Sequence, residues 1–177
     1  MLLTSRAPSV LGAPPAPAGL PGGAQRPQAI EYSDAYYTRL TIHRLGSYAM
    51  LPLFAGEYWL GNRLMQSGDV PSWVKGAHGV VAGTVGALFI SNTVTGVWNL
   101  LESRKDPAGR TRRLLHSALM IASDAGFAIT AAMGGEAGED GFESGGEGDD
   151  ASAHRTVAIS SMAIAGAGTL LMWLWKD

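Results

Sequence analysis

The sequence predicts an all-α integral membrane protein folded as an antiparallel four-helix bundle, and three observations lead there. Charged residues make up 16% of the 177 positions, against roughly 25% in an ordinary soluble domain. The apolar residues are sorted into blocks: outside the Pro/Ala/Gly-rich residues 1–30 and the segment 134–150, which holds seven acids and seven glycines, the chain is far more apolar than its 46% average. Four of those blocks approach the roughly 20 apolar residues that cross a bilayer. Helices apolar on every side belong in a membrane or in the core of a large protein, and this chain is too short to bury four of them in water. The composition also excludes several classes. There is no cysteine, hence no disulfide, thiolate metal site or iron–sulfur cluster. The net charge of −2 offers no basic field for nucleic acid.

The first span is expected over Thr38–Leu60, with Pro52 inside it, tolerated in a membrane helix and expected to kink this one. The second is Ala77–Leu101, where His78 is the ionisable residue. The third is Leu114–Met133, with His116 and Asp124. The fourth is Thr156–Trp175, without charge. Residues 1–37 form the expected N-terminal tail, 38–177 the membrane domain, and 134–153 an acidic loop within it.

The basic residues give the direction. Arg6, Arg26, Arg39 and Arg44 precede or open the first span, Arg104, Lys105, Arg110, Arg112 and Arg113 lie between the second and third, and Lys176 follows the fourth, so ten of the thirteen Lys/Arg share one side. Arg63, Lys75 and Arg155 lie on the other side with the acidic loop. The positive-inside rule puts both termini in the cytoplasm and the acidic loop outside. The five tryptophans fall near the span ends, as an aromatic belt does. A bacterial inner membrane fits. Residues 1–30 lack the apolar core of a secretory signal; they read either as a cytoplasmic tail or, being acid-poor with Arg and Ser, as the transit peptide of an organelle-membrane protein.

Each predicted span opens with one histidine: His43, His78, His116 and His154, at intervals of 35, 38 and 38 residues. One histidine near a helix end is ordinarily an interfacial polar residue, but one on each of four spans, with none elsewhere, points to a site. Because successive helices alternate in direction, His43 and His116 share a level near the inner face, and His78 and His154 share a level near the outer face. In an up-down bundle each pair faces across a diagonal, where cofactor sites are built. Structural zinc wants four ligands, whereas haem iron brings four ring nitrogens and needs one or two more. Two such pairs suit two haems b, each held by two histidines, and the absence of CxxCH excludes covalent attachment. Arg44 and Arg112 near the inner pair and Arg155 near the outer pair are candidate partners for the haem carboxylates. The glycines of the second and fourth spans allow close approach, whether to a macrocycle or simply between helices.

One histidine per helix on four consecutive spans resembles the four-helix core of the cytochrome b561 superfamily. The resemblance covers residues 38–175 as a pattern of spans and ligands. It implies that His43 with His116 and His78 with His154 each hold one haem b, and that the protein passes electrons across the membrane, from a quinol or another reductant.

Other polar residues remain open in meaning. Asp124 is a mid-bilayer carboxyl, either bonded to a Ser or Thr of a neighbouring helix or part of a proton path. Glu57 is either solvated at the interface or orients an outer imidazole. Ser91, Asn92, Thr93, Thr95 and Asn99 make the inner half of the second span polar and suit a haem or a quinone pocket. The acidic loop is either a solvated linker or a docking patch for a basic redox partner. Two further functional readings stand beside electron transfer: a membrane anchor subunit of a larger redox complex, and a small transporter or metal-binding bundle using Asp124 and the histidines. The topology is directly testable. Single cysteines placed in the acidic loop and at the C-terminus should label from opposite faces of sealed membranes, and labelling from one face would refute it.

Overall fold

The computed structural model describes residues 30–66, 68–139 and 147–175. The chain divides into Met1–Ile30 and Glu31–Asp177, and all the helices described here lie in the second unit. They are α1 (Asp34–Leu64), α2 (Ser72–Glu102), α3 (Arg110–Glu139) and α4 (Glu147–Leu174), with a single 3-10 turn at Ser103–Lys105. Among the described residues there is no strand.

Local chemistry accounts for the boundaries. The hydroxyl of Ser33 caps α1 by accepting from the backbone N–H of Tyr36 at 3.1 Å, so the helix starts four residues ahead of the expected span and takes in residues assigned above to the tail. α1 continues through Pro52. The turn into α2 holds Gly68 at φ +118, and the turn into α3 holds Gly109 at φ +62, where a side chain would be strained. α3 and α4 extend into the stretch read as an acidic loop, as far as Glu139 and from Glu147. Residues 140–146, and with them part of the expected docking patch, lie outside the described residues, as does the 1–29 tail.

Three helices are long and apolar enough to cross a membrane: Ser72–Lys105, Arg110–Gly134 and Asp150–Leu174. α1 is not among them, which corrects the expectation of four equivalent spans. Its middle is diluted by Gly46, Ser47, Tyr48, Pro52, Gly56, Glu57 and Tyr58. What makes α1 fit is its packing on α2.

α1 packs chiefly on α2 and α3 on α4, with lesser seams between α2 and α3 and between α1 and α4. Contacts show that the members of each pair run in opposite directions. Arg39 near the start of α1 reaches Asn99 (2.8 Å) and Glu102 at the end of α2, while Gly61 near the end of α1 lies by His78 at the start of α2. On the other pair, His116 near the start of α3 reaches Gly168 near the end of α4, Gly134 late in α3 lies by His154 early in α4, and between them Ser123 donates to the carbonyl oxygen of Ser161 at 2.8 Å. A Cβ on Gly126 would stand 2.0 Å from Ser161 Oγ, so these backbones meet where a side chain is missing. The interior mixes polar residues with an apolar cluster of Met50, Phe54, Val85, Phe89 and Ala165, while the exterior is apolar. Ser123, Ser161, Thr95, Asn99 and Glu57 are buried, whereas Val80, Ile90 and Leu174 are more than two-thirds exposed. An apolar exterior of this kind suits lipid rather than water.

At the end where α2 turns into α3, the residues ahead of α1 are tied down. Tyr32 donates its hydroxyl to Asp106, and Ser33 donates from both its N–H (2.9 Å) and its hydroxyl (2.7 Å) to Glu102. Burial, then the Asp106 carboxylate, push the Tyr32 hydroxyl up to about 12. The Tyr32 hydroxyl in turn holds Asp106 below the usual carboxylate range. Tyr32, an acid raised in the folded state, contributes its stability fully below about pH 10 and loses it as pH rises through about 12. Asp106, depressed in the folded state, contributes above its ordinary value and loses its share as pH falls. Tyr32→Phe should therefore lower the unfolding temperature in detergent at neutral pH, and this deficit should shrink toward both extremes. A deficit unchanged across pH would show that the tie does not act through these groups.

Candidate functional site: two histidine pairs

The structure brings the four histidines together two by two. The rings of His43 on α1 and His116 on α3 have centroids 6.0 Å apart at 78°. Those of His78 on α2 and His154 on α4 are 6.3 Å apart at 64°. Neither partnership follows a main packing seam, so each pair meets across the diagonal between the two hairpins. Imidazole–metal bonds are about 2.0–2.1 Å long; adding the ring radius on each side, two imidazoles on opposite faces of one metal have centroids about 6 Å apart.

The ring orientation is held from behind. His43 donates from Nδ1 to the carbonyl oxygen of Asn92 at 3.0 Å, with Thr95 Oγ1 at 3.3 Å. His116 donates from Nδ1 to the carbonyl oxygen of Gly168 at 3.0 Å. A bond of this kind fixes the tautomer and leaves Nε2 with its lone pair, as a metal ligand requires. His78 Nδ1 lies 2.9 Å from Glu57 Oε1, a close charge contact that is off-line for a directed hydrogen bond. His154 lies against the backbone of Thr130, with no well-directed bond at Nδ1.

Behind each imidazole stands a glycine of the hairpin partner. A Cβ on Gly96 would lie 3.1 Å from His43 Cε1, one on Gly134 3.2 Å from His154 Cε1, one on Gly61 3.9 Å from His78 Cε1, and one on Gly168 3.7 Å from His116 Nδ1. The first two distances are too short for comfort, so those rings occupy room that only glycine leaves.

Numbered from each histidine, the helices follow one scheme. Eleven positions on come Phe54, Phe89, Phe127 and Ala165. These form the middle layer: the Phe54–Phe89, Phe54–Phe127 and Phe89–Phe127 centroids lie 6.1, 5.7 and 4.7 Å apart, and buried Ala165 leaves them room. Fourteen positions on come Glu57, Asn92, Thr130 and Gly168, the residues against which the partner histidines lean. Eighteen positions on come Gly61, Gly96 and Gly134, while in α4 the glycine sits at fourteen. Steps of 11, 14 and 18 keep to one helix face at 3.6 residues per turn, and 18 residues cover about 27 Å. The sequence reading found the histidines and missed this scheme, although these offsets are present in the bare sequence.

The His43–His116 pair opens into a cleft of about 170 Å³, running from Tyr36 and Arg113 past both rings to Asp124. Asn92, Thr93 and Asn99 line it, so the polar half of the second span does face this space. Thr93 donates its hydroxyl to Asp124 at 2.6 Å, the neighbour-helix partner considered above. Glu57 proves buried rather than interfacial, at 7% exposure.

The three candidate arginines each make contacts within the protein. Arg44 is exposed and donates to the Tyr48 hydroxyl at 3.3 Å, since the residue after His43 is turned about 100° away from its face. Arg155 follows His154 in the same way and holds Asn62 Oδ1 at 2.9 Å. Arg112 donates to the Trp175 carbonyl. The arginine lining the cleft is Arg113, one turn before His116. Its guanidinium also holds carbonyls of the α2–α3 turn, including that of Asp106 at 2.7 Å.

The chain matches no family model, no curated protein sequence and no solved structure.

Because the glycines seat single rings, their effects should be local. Gly96→Ala should perturb the ring NMR signals of His43 and His116 and leave those of His78 and His154 in place; Gly134→Ala should do the reverse. Both variants disturbing all four rings alike would show general misfolding rather than seating.

Proposed function

We propose that this protein is a transmembrane electron carrier, an antiparallel four-helix membrane bundle holding two haems b, with His43 and His116 as ligands at the inner level and His78 and His154 at the outer. The observation that carries this reading is the separation of the two imidazole pairs, 6.0 and 6.3 Å, which suits one metal between each pair. Among the described residues, no three His, Cys, Asp or Glu side chains gather as a metal site. Two ligands per level therefore suit an iron that brings its own four nitrogens better than a bare cation. A haem iron held by two imidazoles exchanges single electrons and has no open position for a substrate.

The remaining roles belong to the chain's own groups. Asn92 and Gly168 hold the inner imidazoles in the ligating tautomer. Gly96 and Gly134 leave room for the rings behind them. Phe54, Phe89 and Phe127 fill the middle and exclude water between the two levels. Arg113 at the inner mouth offers a cation to a carboxylate ligand group. The resemblance to the cytochrome b561 superfamily supports the same reading, as does the uneven distribution of Lys and Arg, which favours both termini on the cytoplasmic side. A quinol or another small reductant as donor, and a basic redox partner at the acidic loop, complete the proposal.

Purified protein should show reduced b-type absorption bands with two haems per chain. His43→Ala and His116→Ala should each remove the same one of two redox components, and His78→Ala and His154→Ala the other. Absence of haem, or loss of one component by both His43→Ala and His78→Ala, would refute the assignment.

A further inference from the structure

Three of the four histidines lean on the main chain of the residue fourteen positions along the partner helix: His43 on Asn92, His116 on Gly168 and His154 on Thr130. His78 breaks the scheme. At the equivalent position its neighbour is the side-chain carboxylate of Glu57, 2.9 Å from Nδ1. Glu57 is 93% buried, and its second oxygen, Oε2, has no hydrogen-bond partner. Within an otherwise repeated arrangement, one main-chain carbonyl has been replaced by a side-chain carboxyl group.

The geometry points to Glu57 as a positioning residue that acts on the outer centre through His78 and makes it the more easily oxidised of the two. This rests on the haem reading above. A carbonyl behind an imidazole fixes its tautomer. A carboxylate 2.9 Å from Nδ1 acts on the ring through its field even without a directed hydrogen bond, and so makes the ring a stronger electron donor. With Glu57 ionised, its charge in this buried place further favours the ferric state. The inner pair has only uncharged groups behind its rings, the carbonyl oxygens of Asn92 and Gly168 and the Thr95 hydroxyl, so the inner centre takes the electron first. The inequality gives the path a direction set by His78 and Glu57 rather than by the ends of the chain.

The test is a redox titration of the purified haem protein, with haem content measured on the same samples. Glu57→Gln keeps the shape and removes the charge. It should shift the outer component toward the reduced form by at least tenfold in the equilibrium ratio, about 59 mV for a one-electron couple, and leave the inner component unchanged. Glu57→Asp should restore most of the difference. If Glu57→Gln instead loses the outer haem alone while Glu57→Asp retains it, Glu57 still acts on His78 and the positioning role stands. Two haems present, with neither component moved by Glu57→Gln, would overturn the inference and leave the haem reading intact. No haem in the wild-type protein would overturn both.

Discussion

Close approach between antiparallel helices is the constraint on which the rest of this structure depends. An imidazole can point across the diagonal only if the helix beside it gives way at that height. Gly96 and Gly134 do so within about 3 Å of a histidine ring. Gly126 does the same for Ser161, and Gly46 for the side chain of Asn92, whose Oδ1 would lie 2.4 Å from a Cβ there. In lipid there is no hydrophobic gain from bringing helices together, and small residues with interhelical hydrogen bonds take over that work. Ser123 to Ser161, Thr93 to Asp124 and the ring-to-carbonyl bonds of His43 and His116 supply those bonds. Each such bond contributes about 0.6 kcal/mol on average, so stability comes from their number and from the packing the glycines allow.

The shared offsets from histidine to aromatic, acceptor and glycine make the two hairpins variations on one plan. Departures from that plan are therefore informative. Ala165 stands where the other helices carry phenylalanine, because a fourth ring would overfill the middle layer. Gly168 combines in α4 the two positions that are one turn apart elsewhere. Glu57 is the one residue at the fourteenth position that meets the partner ring with its side chain. None of these could be recognised from one helix alone.

Much of this was legible in the sequence. The four helices, the two histidine levels and the pairing across the diagonal follow from apolar blocks, one histidine per block and alternating direction. A neighbouring Thr for Asp124 was also within reach of that reasoning, since few other partners exist in a membrane. The polarity of α1 was underestimated: an uncharged run from Leu45 to Gly56 looks like a span until its tyrosines, glycines and proline are weighed. For the arginines, nearness in sequence is a poor guide to nearness in space. Arg44 and Arg155 each follow a histidine directly, which on a helix turns them off its face, whereas Arg113 three residues before His116 shares it. The ties of Tyr32, Ser33 and Arg39 to the α2–α3 turn were invisible, since they join residues more than sixty positions apart.

The polarity of α1 bears on how the chain enters a membrane. Segments pass from the insertion machinery into lipid according to their own partition free energy, and a charged residue near a helix centre weighs about 2.5–3.5 kcal/mol against that transfer. α1 has few apolar residues to set against Glu57, and its remaining polar groups find partners on α2: Glu57 with His78, and Arg39 with Asn99 and Glu102. α2 is among the most apolar segments of the chain. In the membrane bundle proposed above, α1 would be stable in lipid only in the company of α2, so it would wait in the aqueous channel during synthesis until its successor emerges, and the two would cross as a single hairpin.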